Sequence, residues 1–337
     1  MIRHGLEYLG ALKVKNGPVF IVGMNGSGTT MLADCLGNHS DLYVLPMESK
    51  VLPYYLMQQD RFGNLNKLSA RKKLANTLGR SKFYRQSNNK KNIVLRDEEL
   101  DGSNFSSVVN ALYLHLANQH GKFRWGDKSP INTQHIQALA IAFPDAQFVH
   151  IIRDGRDAAQ SFHRRWSYDP LHTITRWKKV VNEGKRQGST LKSDRYMELH
   201  YEALTAEPEL LMRQICTFLE IEYQDSLLNS TMRYMDPSHG SVKTGRITSN
   251  SGKWSSYFTP KQVVEFESIA GEMLYSLGYP VSLRGNIDPH PLWLRYWLIR
   301  DGLGHTHWFL AKYGLAALPK LIGYIKVAVL QLLSAKH

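Results

Sequence analysis

The chain has 337 residues, 43% of them hydrophobic and 21% charged, with no low-complexity tract, which excludes a disordered, fibrous or disulfide-scaffold protein and suffices for a buried core. Lysine and arginine outnumber the acids by 42 to 29, a formal net charge of +13, so the expected partners are anions: nucleotides, phosphates, sulfates, nucleic acid or acidic lipid. Cys35 and Cys216 each sit in a segment of helical periodicity, which predicts buried free thiols and a reducing, cytoplasmic setting.

The first residues, Met1 to Asn16, carry Arg3, Lys13 and Lys15 around the short apolar stretch Leu6 to Leu12 and are expected to be neither a signal peptide nor an anchor. Pro18 to Gly23 is an apolar, β-branched run, as in a parallel strand buried on both faces, and Met31, Leu32, Cys35 and Leu36 follow at helical spacing, closed by Gly37 and Asn38. A second strand-helix unit is predicted at Gln147 to Ile152 and onward through Trp166, and a third strand at Arg195 to His200. Helices are expected over Glu207 to Glu220, with Pro208 in the first turn, and over Pro260 to Leu277, with Thr259 as N-cap. Alternating strands and helices predict an α/β fold: a doubly wound, mostly parallel sheet flanked by helices, with a P-loop-like phosphate loop after the first strand.

Two stretches interrupt this rhythm. Residues 60–91 hold ten basic side chains, among them Arg71, Lys72, Lys73 and Arg85, and are expected to form a solvated helical basic insertion within an α/β domain of residues 1–284, with an acceptor- or membrane-facing patch as the alternative. Residues 285–337 are expected to form a C-terminal amphipathic helical extension. From Pro291 onward Trp293, Tyr296, Trp297, Trp308 and Phe309 mix with Arg295, Arg300, Lys312, Lys320 and Lys326, and Pro319 divides the apolar run. That mixture suits an anionic membrane surface, a peripheral attachment at the inner face of a membrane, more than a bilayer span; the alternative is an extra helical layer covering the protein's own sheet.

Gly23-Met24-Asn25-Gly26-Ser27-Gly28-Thr29-Thr30 lies between a buried strand and a helix, where a glycine-rich turn presents backbone N–H groups to a phosphate. The spacing Gly23, four residues, Gly28 matches the nucleotide P-loop, but that pattern then requires lysine and this chain has Thr29. Hydroxyls of Thr29 and Thr30 can serve the same phosphate oxygens. Arg153 leaves the carboxyl edge of a strand and Ser161 follows two turns into the next helix, so both can converge on one dianion.

These segments resemble those of sulfotransferases that use 3′-phosphoadenosine 5′-phosphosulfate (PAPS), particularly the tyrosylprotein sulfotransferases and bacterial members. Residues 23–30 resemble the family's 5′-phosphosulfate loop, with Gly26 where the family commonly has Arg or Lys. Residues 151–161 resemble its 3′-phosphate motif, which assigns Arg153 and Ser161 to that phosphate. Met47-Glu48-Ser49-Lys50 is similar to the segment carrying the proposed base, and Trp125-Gly126-Asp127-Lys128-Ser129-Pro130 to the one whose lysine touches the bridging oxygen. Tyr201 is implied near the adenine, and Lys253 and Trp254 fall in a segment similar to the family's Gly-x-Trp stretch, with Lys243 and Arg246 as the basic residues available before it. The resemblance spans about Pro18 to Tyr279 and leaves 54–120 and 285–337 unassigned.

It implies sulfuryl transfer from PAPS to a hydroxyl or amine of a lipid, glycan, peptide or small molecule, releasing 3′-phosphoadenosine 5′-phosphate (PAP). Such a transfer needs an in-line acceptor, relief of charge on the departing oxygen and a destination for the acceptor proton; a metal is not obligatory. Lys128 is the candidate cation and Glu48 the candidate base, with Asp127, His39 and His120 as rivals for the latter role. The fourteen histidines show no metal-site spacing, and no metal is expected. No nucleic-acid-binding pattern appears, so nucleic acid is not an expected partner. A P-loop kinase or NTPase, and a nucleotide-binding relative that has lost its chemistry, are the alternative functions.

Overall fold

The computed structural model describes residues 17–231, 245–293, 296, 297, 300 and 301. The expectations for Met1–Asn16, for Lys243 and for the segment beyond Asp301 lie outside the described residues.

The strands are β1 (Val19–Val22), β2 (Leu42–Val44), β3 (Arg124–Lys128), β4 (Gln147–Ile152) and β5 (Tyr196–His200), with the short β6 (Asn229–Ser230) and β7 (Gly245–Arg246) forming a separate antiparallel pair. The helices are α1 (Thr29–Leu36), α2 (Leu52–Met57), α3 (Leu68–Gly79), α4 (Lys82–Ser87), α5 (Phe105–Asn118) and α6 (Ile136–Ala142). They continue with α7 (Gly155–Trp166), α8 (Pro170–Gly188), α9 (Tyr201–Ala206), α10 (Pro208–Leu219), α11 (Trp254–Tyr257) and α12 (Pro260–Ser276). The five-stranded sheet has the order β2-β3-β1-β4-β5, and β1 pairs in parallel with both β3 and β4. The α/β fold read from the sequence is therefore the one observed.

The chain divides into two compact units, one built from residues 17–23, 29–151 and the described part of 184–248, the other from 24–28, 152–183 and the described residues from 249 on. In the first unit β1 has no solvent face. Phe20 and Val22 join a core with α3, α5 and α6, while Val19 and Ile21 join another with α1 and α10, as strand alternation requires of a central strand. Cys35 and Cys216 form no disulfide and are buried in that second core, and burial pushes the Cys216 thiol up to about 11.

The basic stretch 60–91 has a core-facing side and a solvated one. Ala70, Leu74, Ala75 and Leu78 place one face of α3 in the core, and Arg71 donates to the carbonyls of Leu65, Asn66 and Leu100. Lys72 pairs with Asp97 at 2.7 Å, so part of the charge is spent on local structure, while Lys67, Arg80, Lys82, Lys90 and Lys91 remain exposed. Apolar residues at helical spacing within a basic composition account for the difference.

The second unit centres on α7, α8 and α12. Phe162, Ile174, Trp177, Phe266 and Leu274 form its core, and Thr259 caps α12 by accepting from the Gln262 N–H, which reciprocates with its side chain. Residues 285–287, assigned by sequence to an extension, run along α12: Gly285 and Ile287 donate to the carbonyls of Glu267 and Ser268. Among the described residues no helix is long and apolar enough to cross a membrane.

Candidate active site

In the first unit the carboxyl ends of β1, β2 and β3 bring several sequence candidates together. Gly23 closes β1 with φ +145°, and a Cβ there would stand 2.4 Å from the Ile151 carbonyl oxygen. Its N–H donates to Thr133 Oγ1 at 2.8 Å. Lys128, the last residue of β3, donates from Nζ to Glu48 Oε1 at 3.0 Å and to Thr30 Oγ1 at 3.3 Å, at the first turn of α1. Lys50 closes on the other carboxylate oxygen, Nζ to Oε2 at 3.1 Å.

One carboxylate thus lies between two cations. The Lys128 and Glu48 side chains are 4% and 12% exposed, against 57% for Lys50. Burial by itself raises the Glu48 carboxyl, but the charges of Lys128 and Lys50 and the hydrogen bonds from both prevail and hold it at about 2. It is ionised at neutral pH and a weak proton acceptor while both lysines remain on it.

Strand alternation turns the preceding residue, Asp127, to the opposite face. There it is fully buried and accepts from the Tyr113 hydroxyl at 2.6 Å and the Asn132 amide at 2.8 Å. Burial raises its carboxyl above the ordinary range even against these hydrogen bonds and those of Ser49 and Ser129. Ser129 Oγ also receives the Lys50 N–H at 3.2 Å and lies 3.3 Å from Ser49 Oγ, so the Asp127 network fixes the loop that carries Glu48.

The other rivals of Glu48 are elsewhere. His39 precedes β2 and His120 precedes β3, at the amino edge of a parallel sheet whose carboxyl edge carries Glu48. His39 is buried between the Glu222 carbonyl and the Asp41 N–H, and His120 stacks on Tyr43. Tyr201 opens α9 just after β5 and packs in the core with Val149, Ile151 and Leu199.

The second unit contains the turn 24–28 and the start of α7. Gly26 and Gly28 take φ of +86° and +96°, and the Ser27 N–H closes onto the Met24 carbonyl at 3.1 Å. A Cβ on Gly26 would lie 3.4 Å from the Phe162 ring and 3.8 Å from Ser161 Cβ, so the turn runs beside Ser161. A residue with a Cβ is strained at that φ. Ser27 is fully buried and its Oγ has no hydrogen-bond partner, while Asn25 is half-exposed.

Arg153 braces this turn. One guanidinium nitrogen donates to the Gly26 carbonyl at 3.0 Å, the other donates to the Asn250 carbonyl, and Asp157 lies 3.6 Å away. Asp157 in turn accepts the N–H groups of Gly252 at 2.7 Å and Trp254 at 3.1 Å, which holds the segment with Lys253 and Trp254 against α7. Trp254 lies 3.9 Å under the Arg156 guanidinium, and buried Arg156 bonds Asp154, Glu267 and the Pro280 carbonyl. Lys253 itself is exposed. Sequence reasoning missed the anchoring roles of Asp157, Arg156 and Thr133; the spacing of four between Arg153 and Asp157 on a helix was the available signal for the first.

Among the described residues there is no group of three or more His, Cys, Asp or Glu side chains arranged to hold a metal.

Comparison with known proteins bears on the family and the fold. Residues 18–225 match the model of the family described as "Sulfotransferase family". Protein-tyrosine sulfotransferase 1 of Danio rerio is 26% identical over 219 residues, covering 63% of this chain and 55% of that protein. Protein-tyrosine sulfotransferase of Drosophila melanogaster is 24% identical over 220 residues, covering 63% of this chain and 39% of that one, so the match takes in about half or less of either relative. Among solved structures, the sulfotransferase domain from the Synechococcus PCC 7002 olefin synthase shares the fold with a TM-score of 0.55 at 22% identity, over 78% of this chain and 95% of that domain. With the family model covering well over half its length, this chain belongs to the sulfotransferase family.

Proposed function

We propose that the protein transfers the sulfuryl group of PAPS to a hydroxyl-bearing acceptor. The observation that carries this reading is the buried Lys128 shared between Glu48 and Thr30 at the start of α1. A helix start, two hydroxyls and a buried cation suit a phosphosulfate, and the unpartnered Ser27 hydroxyl and the two positive-φ glycines suit close approach of an anion to the backbone. Gly26 to Thr30 are assigned to the 5′ end, and Arg153 with Ser161 to the 3′-phosphate. Tyr201, Lys253 and Trp254 are assigned to the rest of the nucleotide.

PAPS supplies an anhydride whose bridging oxygen departs with negative charge. Lys128 meets that charge, and no metal is required in this scheme. Glu48 takes the acceptor proton. With its carboxyl near 2 it cannot do so while Lys128 is bound to it. A Lys128 drawn toward an anion at the start of α1 relaxes its hold, and burial then raises the carboxyl. One lysine therefore links donor binding to the strength of the base.

The phosphoryl-transfer alternative has no lysine at position 29 to support it. The deciding experiment offers PAPS labelled in its sulfuryl group with a tyrosine peptide, an oligosaccharide, a phenol and a hydroxylated lipid. Label on one class of hydroxyl, slowed by Lys128→Ala, is the expected result. Transfer from ATP in place of PAPS, or PAP binding with no label moved to any acceptor, overturns it.

A further inference from the structure

Asp301 is the last residue of the chain with a side-chain carboxylate. Residues 302–337 hold Lys312, Lys320, Lys326 and Lys336 and no aspartate or glutamate, within a run rich in Leu, Ile and Val. Immediately before them, residues 291–293, 296, 297, 300 and 301 are helical and belong to the second unit.

This helical stretch is exposed at its start and buried toward its end. Trp297 and Asp301, four apart, are buried: Asp301 accepts the Asp169 N–H at 2.7 Å and meets His172 Nδ1, and Trp297 stacks on the His172 ring. Nearer its start Leu292, Trp293 and Tyr296 are 65%, 58% and 50% exposed. The Trp293 and Tyr296 rings meet edge to face at 5.9 Å, and the Arg300 guanidinium, which pairs with the buried Asp169 carboxylate, stands 5.9 Å from the Tyr296 ring centre. Three large apolar side chains within two turns, on a stretch already docked through Trp297 and Asp301, leave apolar surface for a partner.

We propose that this partner is an anionic lipid bilayer. Trp and Tyr beside Arg is the mixture favoured at the headgroup boundary, and a carboxylate-free, lysine-bearing apolar segment follows directly. The net charge of +13 is complementary to acidic lipid and not to a second copy of the chain. Trp297 and Asp301 hold the helix to the protein, Leu292, Trp293 and Tyr296 enter the headgroup layer, and the downstream lysines add electrostatic attraction. This surface is independent of the sulfuryl-transfer assignment.

The test is sedimentation of the full chain with vesicles of phosphatidylcholine alone, or of phosphatidylcholine with an equal amount of phosphatidylserine. Sedimentation with the mixed vesicles only is expected, and release in about 1 M salt, where the screening length falls to about 3 Å. The pair Trp293→Ser and Tyr296→Ser, both exposed and thus compatible with folding, should weaken binding about tenfold or more. Lys320→Ala with Lys326→Ala should weaken it by about fivefold per lysine. A chain that stays in the supernatant with both vesicles overturns the proposal. So does binding indifferent to the Trp293 and Tyr296 changes, binding that survives salt and alkaline carbonate as a span would, or a lipid-free dimer that those changes dissolve.

Discussion

The Glu48 cluster of the first unit and the Arg153 cluster of the second are built in opposite ways. In the first, Glu48 is held by ion pairs alone, to Lys128 and Lys50, and Lys128 also reaches a hydroxyl. Ion pairs of that kind can exchange one anion for another. In the second, Arg153, Arg156 and Asp157 are tied to backbone groups of Gly26, Asn250, Gly252, Trp254 and Pro280. Displacing those costs the local fold. The contrast separates a cluster built to change partners from a frame built to hold a turn and a segment in place.

The comparison breaks first at Arg156. Arg156→Ala leaves Asp154 and Glu267 buried without their cation and should destabilise the protein by about 3–5 kcal/mol, read by denaturant unfolding. A loss below about 1 kcal/mol, the range of an exposed pair, would show that the frame is not one. Lys128→Ala should lower turnover by about a hundredfold or more with nucleotide affinity little changed, the pattern of an interaction made mainly in the transition state. Equal losses of affinity and turnover would move Lys128 into the holding class, and full activity in Glu48→Gln would remove Glu48 as the base.

Acid titration sharpens the contrast further. The Glu48 carboxyl is depressed in the folded chain, so its ion pairs stabilise fully above its ordinary 4.5 and lose their contribution as pH falls toward about 2. Lys50→Ala should move this carboxyl upward and Lys128→Ala further still, because burial then acts with less opposition; carboxyl-carbon NMR reads both. An unmoved carboxyl in Lys128→Ala would mean that the pair does not set its charge. The smallest effect is expected at Gly26, where Gly26→Ala puts a Cβ at φ +86° and should cost about 1–2 kcal/mol, measured by unfolding.

Much of this was legible in the sequence where one physical pattern dominates. β1 is an apolar run because both faces of a central parallel strand are buried, and α12 announces itself by Thr259 at its cap. Between them lies β3, equally buried and far less legible, because its sequence is Arg-Trp-Gly-Asp-Lys. Its charges are tolerated only through distant partners: Arg124 donates to the Gly17 and Leu219 carbonyls and to Gln147, Asp127 accepts from Tyr113, and Lys128 reaches Glu48. No periodicity rule sees such partners, so α5, which supplies Tyr113, was left unassigned with the strand it packs on. The candidate pair Glu48 and Lys128 came from motif resemblance, and its low carboxyl needed Lys50, whose left-handed φ of +57° turns it back toward Glu48.

The central claim is that this chain binds a 3′-phosphorylated adenosine nucleotide at residues distinct from those that move the sulfuryl group. Calorimetric titration with PAP and, separately, with ATP, in the native chain, Lys128→Ala and Arg153→Ala, tests it most directly. PAP should bind the native chain in clear preference to ATP, bind Lys128→Ala nearly as well, and bind Arg153→Ala more weakly by about 1.5–3 kcal/mol, the range of a charge-assisted contact. ATP binding as tightly as PAP, or Arg153→Ala binding PAP with unchanged affinity, would contradict it.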